Sequence, residues 1–205
     1  MVCTPQRKEI MENQTVFEVC KTDSDREGAY QLITRSYKRA GLIKESVEKV
    51  HFSSSQVTTF VVKRNGIVIG TVSSIPDEGS GSLPTDLLFR HEIDRLRAKN
   101  YILHSITCLA TKRSTSLVLV ATLISEILLY ERRSGVDYVL IETSPHHAKI
   151  YRDLLGFEQL GAEKQYCGVD ETNNRAPGTV WVPLILDLRN NSEHTSWLAA
   201  RIARA

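Results

Sequence analysis

The stretch Ser144-Pro145-His146-His147-Ala148-Lys149-Ile150-Tyr151-Arg152-Asp153-Leu154-Leu155-Gly156-Phe157 decides how this chain is read. Proline suits the first helical position, where its missing N–H would have no partner anyway, so Pro145 opens a helix. Gly156 tolerates the left-handed conformation that ends one, which predicts a helix over 145–155. Just upstream, Tyr138–Thr143 is almost wholly apolar up to Glu142, the pattern of a strand covered on both faces.

Ile102–Ala110 reads as a further strand. Ser114–Ser116 offers N-cap hydroxyls for a long helix to about Arg133, with Gly135 at its C-terminal end. Strand, helix and strand from 102 to 143 call for a parallel crossover. Thr58–Lys63 and Ile67–Ser73 flank Arg64-Asn65-Gly66, a hairpin signal that calls for antiparallel pairing. Thr22–Asp25 caps a helix from about Arg26 to Arg39, ended by Gly41. Thr85–Arg97 reads as a helix with Leu87, Leu88, Ile93 and Leu96 on one side. The Gly- and Pro-bearing loop Ile75–Pro84 is expected to be mobile or substrate-facing. Short strands are expected around Val16–Cys20, Glu158–Tyr166 and Val180–Leu188, and a last helix over Ser196–Ala203. The order predicts an α/β (α+β) fold, a mixed sheet with helices on both faces. It occupies 15–188, between a loose leader, 1–14, and a tail, 189–205.

The chain has 205 residues, 41% hydrophobic and 24% charged, enough for one domain with a proper core. A net charge of +2 is far from a nucleic-acid signature. The four cysteines, Cys3, Cys20, Cys108 and Cys167, show no CxxC spacing, and no His pair completes a zinc pattern. They read as reduced thiols of a cytoplasmic protein, and no metal is expected. The polar start Met1–Ile10 is no signal peptide. Ser114–Ser125 is 12 residues without a charge, against the ~20 a spanning helix needs, so it reads as a core helix.

The 144–157 stretch resembles the fourth helix of the GNAT superfamily, where an Ala, a Tyr and a terminal Gly-Phe recur. A narrower resemblance is to long-chain N-acyl amino acid synthases of the FeeM type. It is carried by Gly70-Thr71-Val72, by Leu83-Pro84-Thr85-Asp86 running on to Arg97, and by Thr107-Cys108-Leu109-Ala110-Thr111. Arg35-Ser36-Tyr37 with Gly41-Leu42-Ile43 is similar to an early motif shared with acyl-homoserine lactone synthases. These motifs span residues 30–188. The resemblance implies a bacterial enzyme that moves a fatty acyl group from acyl carrier protein to an amino acid amine, tyrosine being one acceptor. It places Arg35, Tyr37, Leu83 and Asp86 toward the acceptor, and Ala148 where a cofactor arm passes.

Acetyl-CoA enzymes of this fold usually carry a Gly-rich turn before the long helix, whose N–H groups hold the pyrophosphate. Here Thr111-Lys112-Arg113-Ser114-Thr115-Ser116 has no glycine. Hydroxyls and two cations at a helix N-terminus suit a carrier protein, which presents 4'-phosphopantetheine with a single phosphate and an acidic helix. A plain capped helix with two exposed cations reads equally well. The expected donor is acyl carrier protein, as the resemblance implies, with acyl-CoA as alternative, and no resident cofactor is expected.

Aminolysis of a thioester needs a neutral amine, a polarised carbonyl and a protonated leaving thiolate. An α-amine titrates near 8, so about a tenth is neutral at pH 7, and a base adds about 10²–10⁴-fold. Relatives tend to have a Glu on the fourth strand where this chain has Ser105, which cannot act as a base unaided. His104 sits beside it but points to the other face unless a bulge intervenes. Glu142 and His147 lie where a strand end meets a helix N-terminus, each readable as a base or as a salt-bridged or surface group. Tyr151 is the candidate acid, and backbone groups of Cys108–Ala110 are expected to polarise the carbonyl. Cys108 as a nucleophile lacks a sequence-placed partner base. Leu117, Val120, Leu123 and Ile124 suit either an acyl slot or ordinary core. Three alternative readings stay open: an acetyl-CoA-dependent acetyltransferase on a small amine, an acyl-homoserine lactone synthase, and a non-catalytic binding module of the same fold.

Overall fold

The computed structural model describes residues 15–44, 56–79, 81–113, 115–168 and 175–190. The leader, Ser114 and the expected helix over Ser196–Ala203 lie outside them. The elements run β1 (Thr15–Val19), α1 (Asp23–Arg39), β2 (Thr58–Arg64), β3 (Ile67–Pro76), α2 (Asp86–Arg97), β4 (Leu103–Thr111), α3 (Leu117–Arg133), β5 (Tyr138–Thr143), α4 (Pro145–Leu155), β6 (Glu158–Gln159), β7 (Lys164–Gln165) and β8 (Val180–Asp187).

One sheet takes the strand order β1-β2-β3-β4-β5-β8-β6, with β7 also on β8. The β2–β3 hairpin turns on Asn65 and Gly66, at φ 54° and 75°, the left-handed pair that a two-residue turn requires. Pairing of β4 with β5 is parallel, and the remaining strand pairs are antiparallel.

Side-chain alternation sends the core to two faces. On one, α1 packs Ala29, Leu32 and Ile33 against Val61, Val68, Cys108 and Ala110, and α2 packs Phe89 and Ile93 against Ile75, Leu103 and Leu140. On the other, α3 and α4 cover Val139, Ile141 and Leu184 with Ile124, Leu128, Ala148 and Leu155. Farther along, Leu123 and Ile127 of α3 meet Phe60, Val62 and Val72. Gly70 lets α3 approach β3: an added Cβ there would lie 2.8 Å from Leu123 Cδ1.

Two expectations need correction. The strand over Glu158–Tyr166 is two two-residue strands, β6 and β7, each paired to β8. Both are rich in charged and polar residues and lack the β-branched run that sustains a ladder. The loop after β3 is tied down. Arg97 donates to Asp77 at 2.7 and 2.8 Å and to Asp86 at 2.7 Å from both terminal nitrogens. Asp86 also accepts the Gly81 and Leu83 N–H groups at 3.0 Å.

Candidate active site

The site begins where the sheet opens. β4 and β5 pair only over Leu103–Ser105 with Tyr138–Leu140. Both strands continue, to Thr111 and Thr143, without pairing with each other. On the other edge of β4 the register with β3 runs Thr71↔Ala110, then Ser73↔Thr107. Cys108 and Leu109 therefore oppose the single residue Val72, a β-bulge. Cys108 takes φ 57°, a conformation costing about 1–3 kcal/mol of the kind that persists at functional sites.

Four side chains gather at this parting. Tyr37, from the last turns of α1, meets a backbone group of Cys108 at its hydroxyl and feels the charge states of Cys108, Tyr151 and Glu142. Tyr151 belongs to α4 and packs from the opposite face of the sheet, edge-on to Phe157 with ring centroids 5.6 Å apart. The two phenols come within electrostatic range because the strands between them separate.

Glu142, near the end of β5, is held by Arg175. Arg175 donates from Nη1 to Oε2 at 3.0 Å and from Nη2 to Oε1. Burial raises the Glu142 carboxyl above the ordinary range, and the Arg175 charge and hydrogen bonds pull it back only in part. Burial pushes the Tyr151 phenol up to about 12 and the Cys108 thiol up to about 12. Burial likewise holds Tyr37 well above its usual value, with Cys108, Tyr151 and Glu142 adding to it. All three are thus neutral at pH 7, so Cys108 is a thiol and a poor nucleophile.

Ser105 shares the face of Leu103 and Leu140. It is 1% exposed, and its Oγ has no hydrogen-bond partner among the described residues. Glu142 stands on that same face, one strand across and two residues beyond Leu140, the residue in register with Ser105. An acid is therefore present at the parting, but on β5 instead of β4.

Several other candidates lie elsewhere. His104 points to the α3 face, where Nδ1 lies 2.7 Å from Glu131 Oε2 and 3.1 Å from Ser74 Oγ. The bulge begins after Thr107, too late to turn it around. His147 is exposed, its Nδ1 3.0 Å from Ser144 Oγ. Its ring is partly desolvated on the protein side, and this first, with neighbouring His146 second, lowers its pKa. Asp86 is spent on the loop latch, since each oxygen already accepts from Arg97 and Oδ2 from two amides as well. Leu83 is buried in the α2 core. Arg35 is exposed and donates to Gln31 at 2.6 Å along its own helix.

The donor-side residues follow the strand into α3. Ala110 is buried under α1, and Leu109 faces α3. Thr111 pairs with Gly70. Lys112 and Arg113 are exposed. Ser116 caps α3, its Oγ accepting the Leu119 N–H at 3.3 Å. Ala148 is buried on α4 beneath Ile141. Leu123 and Ile124 are buried core residues, and Val120 is partly so. Arg175 escaped the sequence reading. Thirty-three residues separate it from Glu142, and no periodicity or motif in its own segment points to that partner.

A sheet that parts between two parallel strands, a bulge on the first and a tyrosine from the helix after the second define an N-acyltransferase of the GNAT fold. Residues 28–174 match the model of the family described as N-acyl amino acid synthase FeeM, and the chain belongs to that family. Among solved structures it is similar to FeeM, an N-acyl amino acid synthase from uncultured soil microbes. The TM-score is 0.75 at 23% identity, over 87% of this chain and 93% of that one. An N-acetyltransferase from Staphylococcus aureus Mu50 gives TM-score 0.59 at 15% identity, over 86% and 99%. The AHL synthase LasI gives 0.59 at 12%, over 86% and 91%. A comparison with curated protein sequences finds no match. None of the helices among the described residues is long and apolar enough to cross a membrane.

Proposed function

We propose that this enzyme transfers a long-chain fatty acyl group from acyl carrier protein to the α-amine of an amino acid, tyrosine favoured, in the bacterial cytoplasm. The observation that carries the reading is the meeting of Glu142, Tyr37, Tyr151 and the Cys108 bulge at the parting of β4 and β5. Glu142 takes the base role that relatives give to a fourth-strand Glu, from the neighbouring strand and the same face. It accepts a proton from the acceptor ammonium. The freed nitrogen attacks the thioester carbonyl, and backbone N–H groups of Cys108–Ala110 stabilise the oxyanion. The C–N bond is then complete and the C–S bond breaks. Tyr151, protonated throughout the neutral range, gives its proton to the departing thiolate, and its phenolate takes up the second proton that the new amide nitrogen sheds. The glycine-free turn before α3, with exposed Lys112 and Arg113, favours a carrier-protein phosphopantetheine over a CoA pyrophosphate.

The test is a product screen: pure protein, lauroyl or palmitoyl carrier protein and the twenty amino acids, read by mass spectrometry. One dominant N-acyl amino acid, lost in Tyr151→Phe, is the expected result. Acetylation from acetyl-CoA without product from carrier protein would replace the donor assignment. Silence with both donors would overturn the reading.

A further inference from the structure

We propose that Arg175 is a positioning residue for this reaction: its guanidinium fork fixes the Glu142 carboxylate and sets a positive charge against it at the mouth of the strand parting. The inference rests on the reading of Glu142 as the base.

Arg175 is gripped from several sides. Besides its two-pronged contact with Glu142, Nη2 donates to the Pro84 carbonyl at 3.0 Å. Its guanidinium carbon lies 4.9 Å from the centroid of the Trp181 ring. Trp181 is itself anchored, Nε1 donating to Thr179 Oγ1 at 2.9 Å. The backbone is pinned too: Arg175 bridges to Ile43, and the Ala176 N–H donates to the Leu42 carbonyl at 3.0 Å. Both charged side chains are 12% exposed. Arg175 therefore ties together β5, β8, the loop before α2 and the segment after α1, with the carboxylate at the centre.

The chemistry of a buried base explains why such a grip is useful. A carboxyl taken out of water prefers its neutral form, and a protonated carboxyl cannot accept a proton. The nearby groups do not help: Tyr37 from α1, and Cys108 from β4 and Tyr151 from α4 around it, are all uncharged at neutral pH. An arginine does not give up its proton in proteins, and its planar fork matches both carboxylate oxygens. It offsets the burial without removing it, which leaves a base stronger than an exposed glutamate.

The test compares the parent with Arg175→Gln and Arg175→Lys, each checked for folding by circular dichroism. Glu142 is titrated by infrared difference spectroscopy against Glu142→Gln, a readout that needs no turnover. The pH profile of kcat/KM is measured with lauroyl carrier protein and tyrosine. In Arg175→Gln the Glu142 titration and the acid limb of the profile should both move up by about 1–3 pH units, with the rate recovering at high pH. Arg175→Lys, which keeps the charge, should restore most of that shift. A Glu142 titration that stays in place in a folded Arg175→Gln would overturn the proposal, and so would a rate loss equal at every pH. A normal infrared shift beside a fully active Glu142→Gln would instead overturn the base reading on which it rests.

Discussion

Glu131 Oε2 lies 2.7 Å from His104 Nδ1, and the Glu131 side chain has no exposed surface. It is a close polar contact without hydrogen-bond alignment, set between α3 and β4. The imidazole is thereby committed to the core on the face opposite Ser105. Replacing Glu131 with Ala should cost about 3 kcal/mol, the scale of breaking a buried pair. The double change Glu131→Leu with His104→Leu should cost less than the two single effects added. Urea denaturation measures all of these. A folded His104→Gln should keep kcat/KM within about three-fold, since a general base would cost about 10²–10⁴-fold.

Tyr151→Phe should lower kcat/KM by about 10²-fold while leaving the melting temperature unchanged. The parent enzyme carries its own pH signature. An acid must be protonated to act, and burial pushes this phenol up to about 12. The rate should therefore show no alkaline fall from Tyr151 near pH ~10, where an ordinary phenol ionises. A fall there that vanishes in Tyr151→Phe would contradict the assignment.

The loop latch predicts an acid-sensitive stability. Burial pushes the Asp77 carboxyl up, but hydrogen bonds from Arg97, Ser82 and the Gly79 N–H outweigh it, and the net position is below the ordinary value. A depressed carboxyl contributes stability that is fully present above its unfolded pKa, about 3.9, and is lost as pH falls through the folded one. Asp77→Asn should flatten this acid limb in denaturation curves. Arg97→Met should destabilise at every pH above it, by about 3 kcal/mol.

Thiol labelling separates the described cysteines. Cys108 is 2% exposed with its thiol pushed up to about 12, and Cys20 is also buried, whereas Cys167 is exposed. Iodoacetamide on the native protein at pH 8 should modify Cys167 and spare the other two, as peptide mass spectrometry would report. Cys108→Ala should remain an active enzyme, which a covalent acyl-cysteine route would forbid.

If Lys112 and Arg113 receive an acidic carrier protein, reversing both to Glu should raise its KM by about ten-fold at low salt and much less at high salt. The KM for the amino acid should not change. An unaltered carrier-protein KM at low salt would count against this docking.

Much of the architecture was legible because local signals agreed with the final contacts. Pro145 and Gly156 bounded α4 at both ends, and Asn65-Gly66 set the hairpin. Ser116 capped α3 within the segment expected. Tyr151 was singled out by the resemblance of 144–157 to a GNAT helix, and it packs against Phe157 at the end of α4. The reading failed where partners are distant. The Arg97 clasp joins residues from two turns and a helix end, so the glycines of its loop looked like freedom. Glu142 could be read as a base or as half of a salt bridge, and it is in fact paired. Its partner, Arg175, is fixed by a sheet register that no local pattern encodes.

The three-residue seam between β4 and β5 also bears on how the molecule comes apart. It joins a meander built from neighbours in sequence, β1 to β4, to a second ladder of β5 to β8. Few backbone bonds cross it, so the free energy of opening there should sit well below that of global unfolding. Opening there would leave two units held across the seam by the α2 core and the Arg175 contacts, and the seam lies at the base of the candidate cleft. Any donor arm lodged in the cleft would bridge the two units, so native-state hydrogen exchange should slow across both when the donor binds.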